Sequence, residues 1–342
     1  MRPALKVAVV GAGIAGASCA HALSHSGHAV QVFDKSRGAG GRMSTRRAEW
    51  VDRQGRSQLS RFDHGAPCFT AHEPSFQQFV SDAVGQAWLA PWQPRLAPQS
   101  LPLPHDGPHY LATPDMPALC RQLLDGIDSH WSCSVSGLRR EQGLWLLEQG
   151  QGVAAEGFDA VVLAMPPIQA AALLEQHQMD WAARAAAIPM QPCWTLMGVA
   201  KASALPHAWD LARPASGALA WIMRNDARPG RDVVPGQAHW VVHASAHWSS
   251  SHLEQDAAQI QSDLQAALVD HLGEPIDWLY ATVHRWRYAM PDRSASAQAD
   301  PCWWDAAQGL GVCGDFFTGS GVEGAWLSGR SLASVIALLD GQ

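Results

Sequence analysis

The sequence predicts an α/β protein with two domains: a nucleotide-binding domain on a parallel sheet, and an α+β domain with a mixed or antiparallel sheet. Three observations lead to this prediction. A strand–helix–strand pattern with three closely spaced glycines opens the chain. Three strand patterns and one long amphipathic helix occupy residues 193–272. A last buried strand then leads into a second glycine-rich segment and a terminal helix.

The opening pattern is typical of a Rossmann-type dinucleotide site. Residues 6–10 form a short β-branched apolar run, which suits a strand buried on both faces. The glycines that follow have the G-x-G-x-x-G spacing, which permits a tight turn and a close approach to a pyrophosphate at the start of a helix. Residues 29–33 form a second strand that ends at Asp34, where a carboxylate can accept a ribose hydroxyl. The predicted phosphate-binding positions are Gly11, Gly13, Ile14, Ala15 and Gly16.

A second glycine turn follows directly, in the stretch Lys35 to Met43. Its Gly40-Gly41-Arg42 sequence resembles the second fingerprint of FAD enzymes of the amine-oxidase and glutathione-reductase type. NAD dehydrogenases lack this turn. The resemblance implies that the turn approaches the same pyrophosphate, where Arg42 neutralises its charge. We therefore predict that the cofactor is FAD, and that Lys35, Gly41, Arg42 and Met43 belong to its site.

Composition and charge narrow the class of protein. The 342 residues are 47% hydrophobic and 16% charged, enough for two domains. A net charge of −7, with no stripe of Lys and Arg, argues against nucleic-acid binding. No uninterrupted apolar run of about 18 residues occurs, so we expect no membrane span. The seven cysteines and sixteen histidines lack metal-ligand spacings, which predicts no metal site and reduced thiols in a cytoplasmic protein.

The middle of the chain predicts several further elements in order. Residues 49–62 are polar and indicate a hairpin or loop, and a helix begins near Pro74. Six prolines in residues 86–108 exclude a long helix there. The stretch 110–127 predicts a helix capped by Thr or Asp, and residues 160–164 form a buried strand. Residues 168–285 predict Ala-rich helices, three strands at 193–200, 218–226 and 239–249, and a helix from about Leu253 to Leu272.

The C-terminal stretch is the second strong signal. Residues 309–313 predict a last buried strand, which Gly314 and Asp315 end. The stretch resembles FAD enzymes in which such an Asp meets the ribityl or pyrophosphate region. A helix beginning at residues 322–324 would then direct its positive end toward the flavin. This resemblance adds Gly314, Asp315, Gly321, Val322 and Glu323 to the predicted cofactor site.

Five phrases together resemble the bacterial renalase branch of the flavin amine-oxidase superfamily over nearly the whole chain: FDKSRGAGGRM, FDHGAPCFTA, VVHASAHWS, HRWRYAMP and CGDFFTGSGVEGAWLSG. The resemblance implies a fold similar to amine oxidases and hydroxybenzoate hydroxylases, and a contact of Val135 with the adenine. The predicted FAD-binding domain comprises residues 1–75, 106–167 and 286–342. The predicted substrate domain comprises residues 76–105 and 168–285.

The same resemblance implies oxidation of dihydropyridine dinucleotides, the 2- or 6-dihydro isomers of NAD(P)H. Non-covalently held FAD accepts a hydride and O₂ reoxidises it, giving NAD(P)⁺ and H₂O₂. The predicted pocket residues are His64, His243, Arg285, Trp286 and Tyr288. Two alternatives stay open, an amine oxidase or other oxidoreductase of the same fold and a non-catalytic flavin-binding redox protein. The amine-oxidase alternative expects an aromatic cage and a lysine near the flavin. The sequence indicates no oligomeric state.

Overall fold

The computed structural model describes residues 4–202, 208–292, 300–319 and 321–338. The helices within these residues are α1 Ile14–His25, α2 Pro74–Gly85, α3 Ala118–Leu123, α4 Pro167–Leu174, α5 Met179–Ala186, α6 Ala246–Ser251, α7 Ala257–Leu272 and α8 Gly321–Leu338. The strands are β1 Lys6–Val10, β2 Ala29–Asp34, β3 Thr45–Val51, β4 Ser57–Asp63, β5 Leu89–Trp92, β6 His109–Ala112, β7 Asp128–Trp131, β8 Gly137–Glu141, β9 Leu144–Gln149, β10 Gly152–Phe158, β11 Ala160–Leu163, β12 Met190–Lys201, β13 Leu211–Ala212, β14 Leu219–Arg224, β15 Gln237–Ala244, β16 Trp278–Pro291, β17 Trp303–Asp305 and β18 Leu310–Val312.

A six-stranded sheet carries the nucleotide fingerprint. Its order is β17-β18-β11-β1-β2-β7, and every pairing is parallel except that of β17 with β18. Strand β1 lies between β11 and β2, so its β-branched residues are buried on both faces, as the sequence predicts. Parallel strands end at one edge, and β1, β2 and β18 therefore deliver their following turns to the same side of the sheet.

A five-stranded antiparallel sheet forms the second large layer, in the order β13-β14-β15-β12-β16. Alternate residues of β12 separate its two faces. Met197 and Val199 join the large core shared with β1 and α1. Trp194 and Leu196 instead pack with α7, through residues such as Leu264. The predicted fold class, a Rossmann-type sheet combined with an antiparallel α+β layer, is confirmed.

Several predicted elements differ in detail. The predicted strand 239–249 ends at Ala244, because Ser245 caps α6 by accepting a hydrogen bond from the backbone N–H of Trp248. The helix predicted from Leu253 begins at Ala257, where Asp256 is the capping residue. Helix α3 has Pro117 at its N-cap and no capping side chain, so the predicted Thr or Asp cap is wrong.

Helices α1 and α8 pack closely, and small residues make this possible. A Cβ added to Gly329 would lie 2.1 Å from the backbone oxygen of Ala15. The Ser18 hydroxyl donates to the carbonyl of Trp326 across the same contact at 3.0 Å. The two glycine-rich segments of the sequence are therefore held together by the helices that follow them. The division into two domains at the residue limits given above stays a prediction.

Candidate functional site

The two glycine turns meet at the carboxyl edge of the parallel sheet. Gly40 donates its N–H to the carbonyl of Ala12 at 2.9 Å, and Gly13 and Gly40 form an isolated parallel bridge. A Cβ on Gly41 would lie 3.1 Å from the Cα of Gly13, and one on Gly16 would lie 1.9 Å from the oxygen of Gly11. Side chains at these positions would fill the cradle. Because the residues are glycines, the cradle stays open and a pyrophosphate can approach the backbone closely.

Helix α1 begins at this cradle with its N-terminus open. Gly13 is the N-cap, it provides no capping side chain, and the first turn holds no acidic residue. The first N–H groups of a helix have no partner inside the helix and carry partial positive charge. The cradle therefore fits an anionic phosphate held by the backbone at Ile14, Ala15 and Gly16.

Asp34 ties the two turns together. One carboxylate oxygen accepts the N–H of Ala12 at 2.7 Å, and the other accepts the N–H of Ser36 at 2.7 Å. A carboxylate has about four lone-pair sites, so it retains capacity for the predicted ribose hydroxyl. Lys35 donates to the oxygen of the Gln169 amide at 3.3 Å. Val135 packs at the edge of the core that contains Phe33, next to β2.

Arg42 forms an ion pair within the protein, and its predicted contact with the pyrophosphate stays a prediction. Its guanidinium forms two parallel hydrogen bonds to Asp315, each 2.7 Å long, and a third to the carbonyl of Ala289 at 3.1 Å. Asp315 is buried and the Arg42 side chain is 29% exposed. Two residues predicted to contact FAD separately therefore form one bidentate ion pair, which joins the second glycine turn to the C-terminal segment.

Contacts to backbone N–H groups hold the C-terminal segment, residues 314–319 and 321–323, in place. Gly314 donates its N–H to Ser328 at 3.0 Å, and a Cβ on Gly314 would lie 2.4 Å from the Phe316 ring. Glu323 accepts the backbone N–H groups of His72 and Glu73 at 2.8 and 2.7 Å. The side chain of Glu323 thus anchors the 72–73 loop to the start of α8. Gly321, with a φ of +62°, and Val322, which is buried, begin that helix.

A histidine cluster lies beside these loops; we define it as His64, His243, His284 and Trp286. His64 stacks on Trp286 at 5.0 Å between ring centroids and meets His284 edge-on at 4.8 Å. The Trp286 indole N–H donates to the His64 carbonyl at 3.0 Å, and the His243 ring also hydrogen-bonds the His64 backbone. Two buried ring atoms, His64 Nδ1 and His243 Nε2, have no hydrogen-bond partner within the described residues.

The histidine cluster is uncharged at neutral pH. Burial lowers the pKa of His64 to about 3, with smaller contributions from His284 and Arg46. Burial, followed by the charge of Arg228, lowers the pKa of His243 to about 4. The pKa of His284 falls to about 4 through burial and the neighbouring Arg46. All three rings are therefore neutral hydrogen-bonding groups rather than cations.

The antiparallel sheet arranges part of this cluster in one row. The pairing registers place Trp221 opposite His243, His243 opposite Thr195, and Thr195 opposite His284. Directly paired residues project from the same face of a sheet. The Thr195 hydroxyl reaches the His64 carbonyl at 3.4 Å. The row therefore forms a continuous surface that contacts the loop after β4.

Two predicted pocket residues are placed differently from the others. Arg285 projects to the opposite face of β16, because side chains alternate along a strand. There it donates to the Leu253 carbonyl at 2.7 Å, and its guanidinium lies 5.6 Å from the Trp194 ring. Tyr288 is half-buried and follows Trp286 at a shift in the register between β12 and β16. The structure thus brings His64, His243 and Trp286 together and leaves Arg285 outside.

A buried group of charged side chains next to His64 was not predicted from the sequence. Asp63 accepts hydrogen bonds from the Thr45 hydroxyl and from Arg231 Nε, the latter at 2.7 Å. Arg228 Nη1 lies 3.2 Å from the same carboxylate and the side chain of Arg228 is fully buried. Burial raises the pKa of Asp63, but the two arginines and Thr45 outweigh it, so the net pKa is lowered. Two arginines in the Arg-Pro-Gly-Arg sequence at 228–231 were the only hint of a buried ion pair, and their partner Asp63 lies about 165 positions earlier in the chain.

Neither a metal centre nor a membrane span appears in the part of the chain that the structure describes. No group of three His, Cys, Asp or Glu side chains there is arranged to hold a metal ion. None of the described helices combines the length and the apolar character needed to cross a bilayer.

Comparison with known proteins identifies the class. The model of the NAD(P)-binding Rossmann-like domain matches residues 9–83, and that of the flavin containing amine oxidoreductases matches residues 103–337. A putative protoporphyrinogen oxidase from Exiguobacterium sp. 255-15 superposes with a TM-score of 0.73 at 11% identity, covering 98% of this chain and 99% of that one. Cyclohexylamine oxidase from Brevibacterium oxydans IH-35A gives 0.61 at 13%, covering 99% and 100%. Reduced UDP-galactopyranose mutase gives 0.68 at 10%, covering 99% and 95%.

At these identities the solved structures establish the fold alone. The second family model spans more than half of the chain, and the glycine cradle, the open N-terminus of α1 and Asp34 fit a dinucleotide cofactor. The protein therefore belongs to the flavin containing amine oxidoreductase family, and it is a flavin-dependent oxidoreductase whose cofactor is FAD.

Proposed function

We propose that this enzyme oxidises dihydropyridine isomers of NAD(P)H that carry the hydride at the 2- or 6-position of the nicotinamide. One observation carries the proposal: the histidine cluster is aromatic, half-buried to buried, and neutral. The renalase-like phrases in the sequence support it independently. Such a wall suits a flat, uncharged ring that gives up a hydride without losing a proton.

The chemistry explains why no acid or base is needed. Loss of hydride makes the dihydropyridine ring aromatic, so the driving force lies in the substrate. Bound FAD supplies the hydride acceptor and O₂ restores its oxidised form. The overall reaction consumes one substrate, one O₂ and one proton, and yields NAD(P)⁺ and H₂O₂. The protein contributes orientation and exclusion of water.

Three members of the histidine cluster have a defined role in this proposal. Trp286 is held by its bond to the His64 carbonyl and presents an indole face for stacking. The unpartnered atoms His64 Nδ1 and His243 Nε2 are the groups that would hydrogen-bond a carboxamide. Because burial keeps these rings neutral, they bind the ring without repelling the positive charge that develops on it.

The lysines argue against the amine-oxidase alternative. The chain contains only three, and the contacts of each lie outside the histidine cluster. Lys6 donates to the Glu156 carbonyl at 3.0 Å, and Lys35 to Gln169. Lys201 ends β12 at the edge where Asp277 lies. None of them is available for the lysine contact expected near the flavin in an amine oxidase.

The test is anaerobic mixing of the FAD-loaded protein with 6-dihydro-NAD while the flavin absorbance is followed. We expect rapid bleaching, and recovery with peroxide when air is admitted. Trp286→Phe should slow bleaching about tenfold while retaining FAD, since the loss of one hydrogen bond loosens the stacking wall. Trp194→Phe is the matched control, because its indole also donates to a backbone carbonyl at 3.0 Å but on the opposite face of the sheet.

The outcomes separate the alternatives. Peroxide formation with amines but none with dihydropyridines would replace the proposal by amine oxidation. Absence of reduction by any of these donors would favour a non-catalytic flavoprotein. Equal slowing in both tryptophan variants would remove the proposed role of the histidine cluster.

We also propose that FAD is held without a covalent link and that the protein works in the cytoplasm. All seven cysteines are free thiols, as expected in a reducing compartment. Burial raises the pKa of Cys68, the cysteine nearest in sequence to His64, to about 11, which disfavours attack by its thiolate on a flavin. Acid precipitation should leave the yellow colour in the supernatant; colour in the pellet would contradict the non-covalent attachment.

A further inference from the structure

A set of arginines lies at the β14 end of the row that includes His243. The guanidinium of Arg213 lies 4.7 Å from the centre of the Trp221 ring, and Trp221 is paired with His243 on the same face. Arg213 is half-buried and its Nη1 donates to the Pro102 carbonyl. Its Nε is a buried donor that has no hydrogen-bond partner within the described residues.

Arg228 is a second guanidinium in this set, and it lies against Pro67, the residue before Cys68. Burial raises the pKa of the Cys68 thiol, and the charges of Arg228 and Arg213 both act to lower it. The charge of Arg228 also lowers the pKa of His243. Its side chain is fully buried, its Nη2 donates to the Pro67 carbonyl, and its Nε has no hydrogen-bond partner in the described part of the chain.

The positive charge here exceeds the negative charge. Asp63 is the one carboxylate paired with Arg228 and Arg231, and no described carboxylate forms an ion pair with Arg213. Burial lowers the pKa of Arg228 only to about 10, so the residue remains charged at neutral pH. A buried excess of positive charge is costly without a counter-ion, and this chain has a net charge of −7. The arrangement therefore suits a bound anion.

We propose that Arg213, with the field of Arg228 behind it, binds an anionic group of the substrate, and that in a dihydropyridine dinucleotide this group is the pyrophosphate. The identity of the anion rests on the proposed function above, whereas the anion site itself does not. Arginine suits this role because its guanidinium donates several hydrogen bonds to phosphate oxygens while Trp221 supports its plane.

The dimensions of the sheet agree with this placement. Trp221 lies two strands from Thr195, whose hydroxyl contacts the His64 backbone. Two strand spacings amount to roughly 10 Å. A ribose joins nicotinamide to pyrophosphate, so a ring against the histidine cluster and a phosphate at Arg213 belong to one extended ligand along the row.

The first test uses inorganic pyrophosphate and the FAD-loaded protein, in which the cofactor's own phosphate cradle is filled. Calorimetric titration should show binding to the wild type, and Arg213→Gln should weaken it roughly tenfold to a hundredfold. Arg213→Lys should restore part of the affinity. Arg224→Gln should leave binding unchanged: Arg224 also lies over a tryptophan, Trp240, at 5.2 Å, but Asp226 neutralises it.

The second test separates this inference from the proposed function. Arg213→Gln should raise KM for 6-dihydro-NAD about tenfold and leave KM for the phosphate-free dihydronicotinamide riboside unchanged. If the wild type oxidises neither compound, the proposed function fails while the pyrophosphate titration still reports on the site. Binding of glutarate but not pyrophosphate would overturn phosphate as the anion. Pyrophosphate binding equal in wild type and Arg213→Gln, or absent in both, would overturn the site.

Discussion

Removal of the Asp63 carboxylate should strongly destabilise the protein. The carboxylate is 1% exposed and lies between Arg228 and Arg231, whose side chains are 0% and 4% exposed. The substitution Asp63→Asn keeps the shape but removes the negative charge, and it leaves two buried guanidiniums without a counter-ion. We expect a loss of stability together with looser packing of His64 and Gly65, the residues that follow.

The magnitude follows from the burial. Breaking a buried ion pair by removal of one partner costs about 3–5 kcal/mol, because the remaining charge stays desolvated. The hydrogen bond from Thr45 can be kept, because an Asn oxygen also accepts it, so the expected loss comes from the missing charge. We therefore expect the free energy of unfolding of Asp63→Asn to fall by about 3–5 kcal/mol relative to the wild type.

Urea unfolding of the FAD-loaded protein at one fixed FAD concentration, followed by tryptophan fluorescence, measures this change. Asp277→Asn is the matched control, because Asp277 also pairs with an arginine, Arg53, but both side chains are exposed. The control should leave the unfolding midpoint unchanged. Equal midpoints for wild type and Asp63→Asn would refute the assignment of Asp63 as the partner of two buried charges.

The same residue gives a pH dependence with a defined sign. The pKa of Asp63 is lowered in the folded protein. A lowered carboxyl pKa contributes stability that is present above the unfolded value of 3.8 and is lost as pH falls through the folded value. The acid-unfolding profile of Asp63→Asn should therefore lack a transition that the wild type shows below pH 3.8, and identical acid profiles would contradict this.

Three further predictions concern the site. Gly65→Ala should lower the free energy of unfolding by about 1–3 kcal/mol and reduce the FAD content, since its Cβ would lie 2.0 Å from the Arg42 backbone oxygen. Gly85→Ala is the control, because a Cβ there meets open space. Equal FAD retention by the two variants on desalting would contradict this. Arg42→Lys should weaken FAD binding about tenfold in a fluorescence titration, because lysine cannot replace the bidentate contact to Asp315; an unchanged affinity would show that the pair is dispensable. The histidine cluster should stay neutral from pH 6.5 down to about 4, so the rate of anaerobic flavin reduction should be flat there, and a step near 6.5 would show that a cluster histidine titrates normally. Because these lowered pKa values let the unfolded chain bind more protons, stability should fall as pH drops below 6.5.

The nucleotide-binding sheet could be predicted from the sequence because the residues that form its first turn lie close together in the chain. The strand, glycine turn, helix and Asp34 lie within the first 34 residues, and hydrogen bonds between near neighbours fix their geometry. The second glycine turn follows at once, so its approach to the first was also predictable. These short-range patterns determined the Rossmann-type fold and FAD, both of which are confirmed.

Tertiary structure alone decided which distant side chains meet. His64 and Trp286 are separated by 222 positions, and only the pairing of β16 with β12 and the path of the loop after β4 bring them together. Alternation along β16 sends Arg285 to the other face, a result that requires the register and not merely the presence of a strand. Likewise, the charge state of the histidines depends on burial by elements far away in sequence. Local patterns determined the cofactor and its cradle, whereas long-range packing decided the composition and neutrality of the histidine cluster and the excess of positive charge beside it.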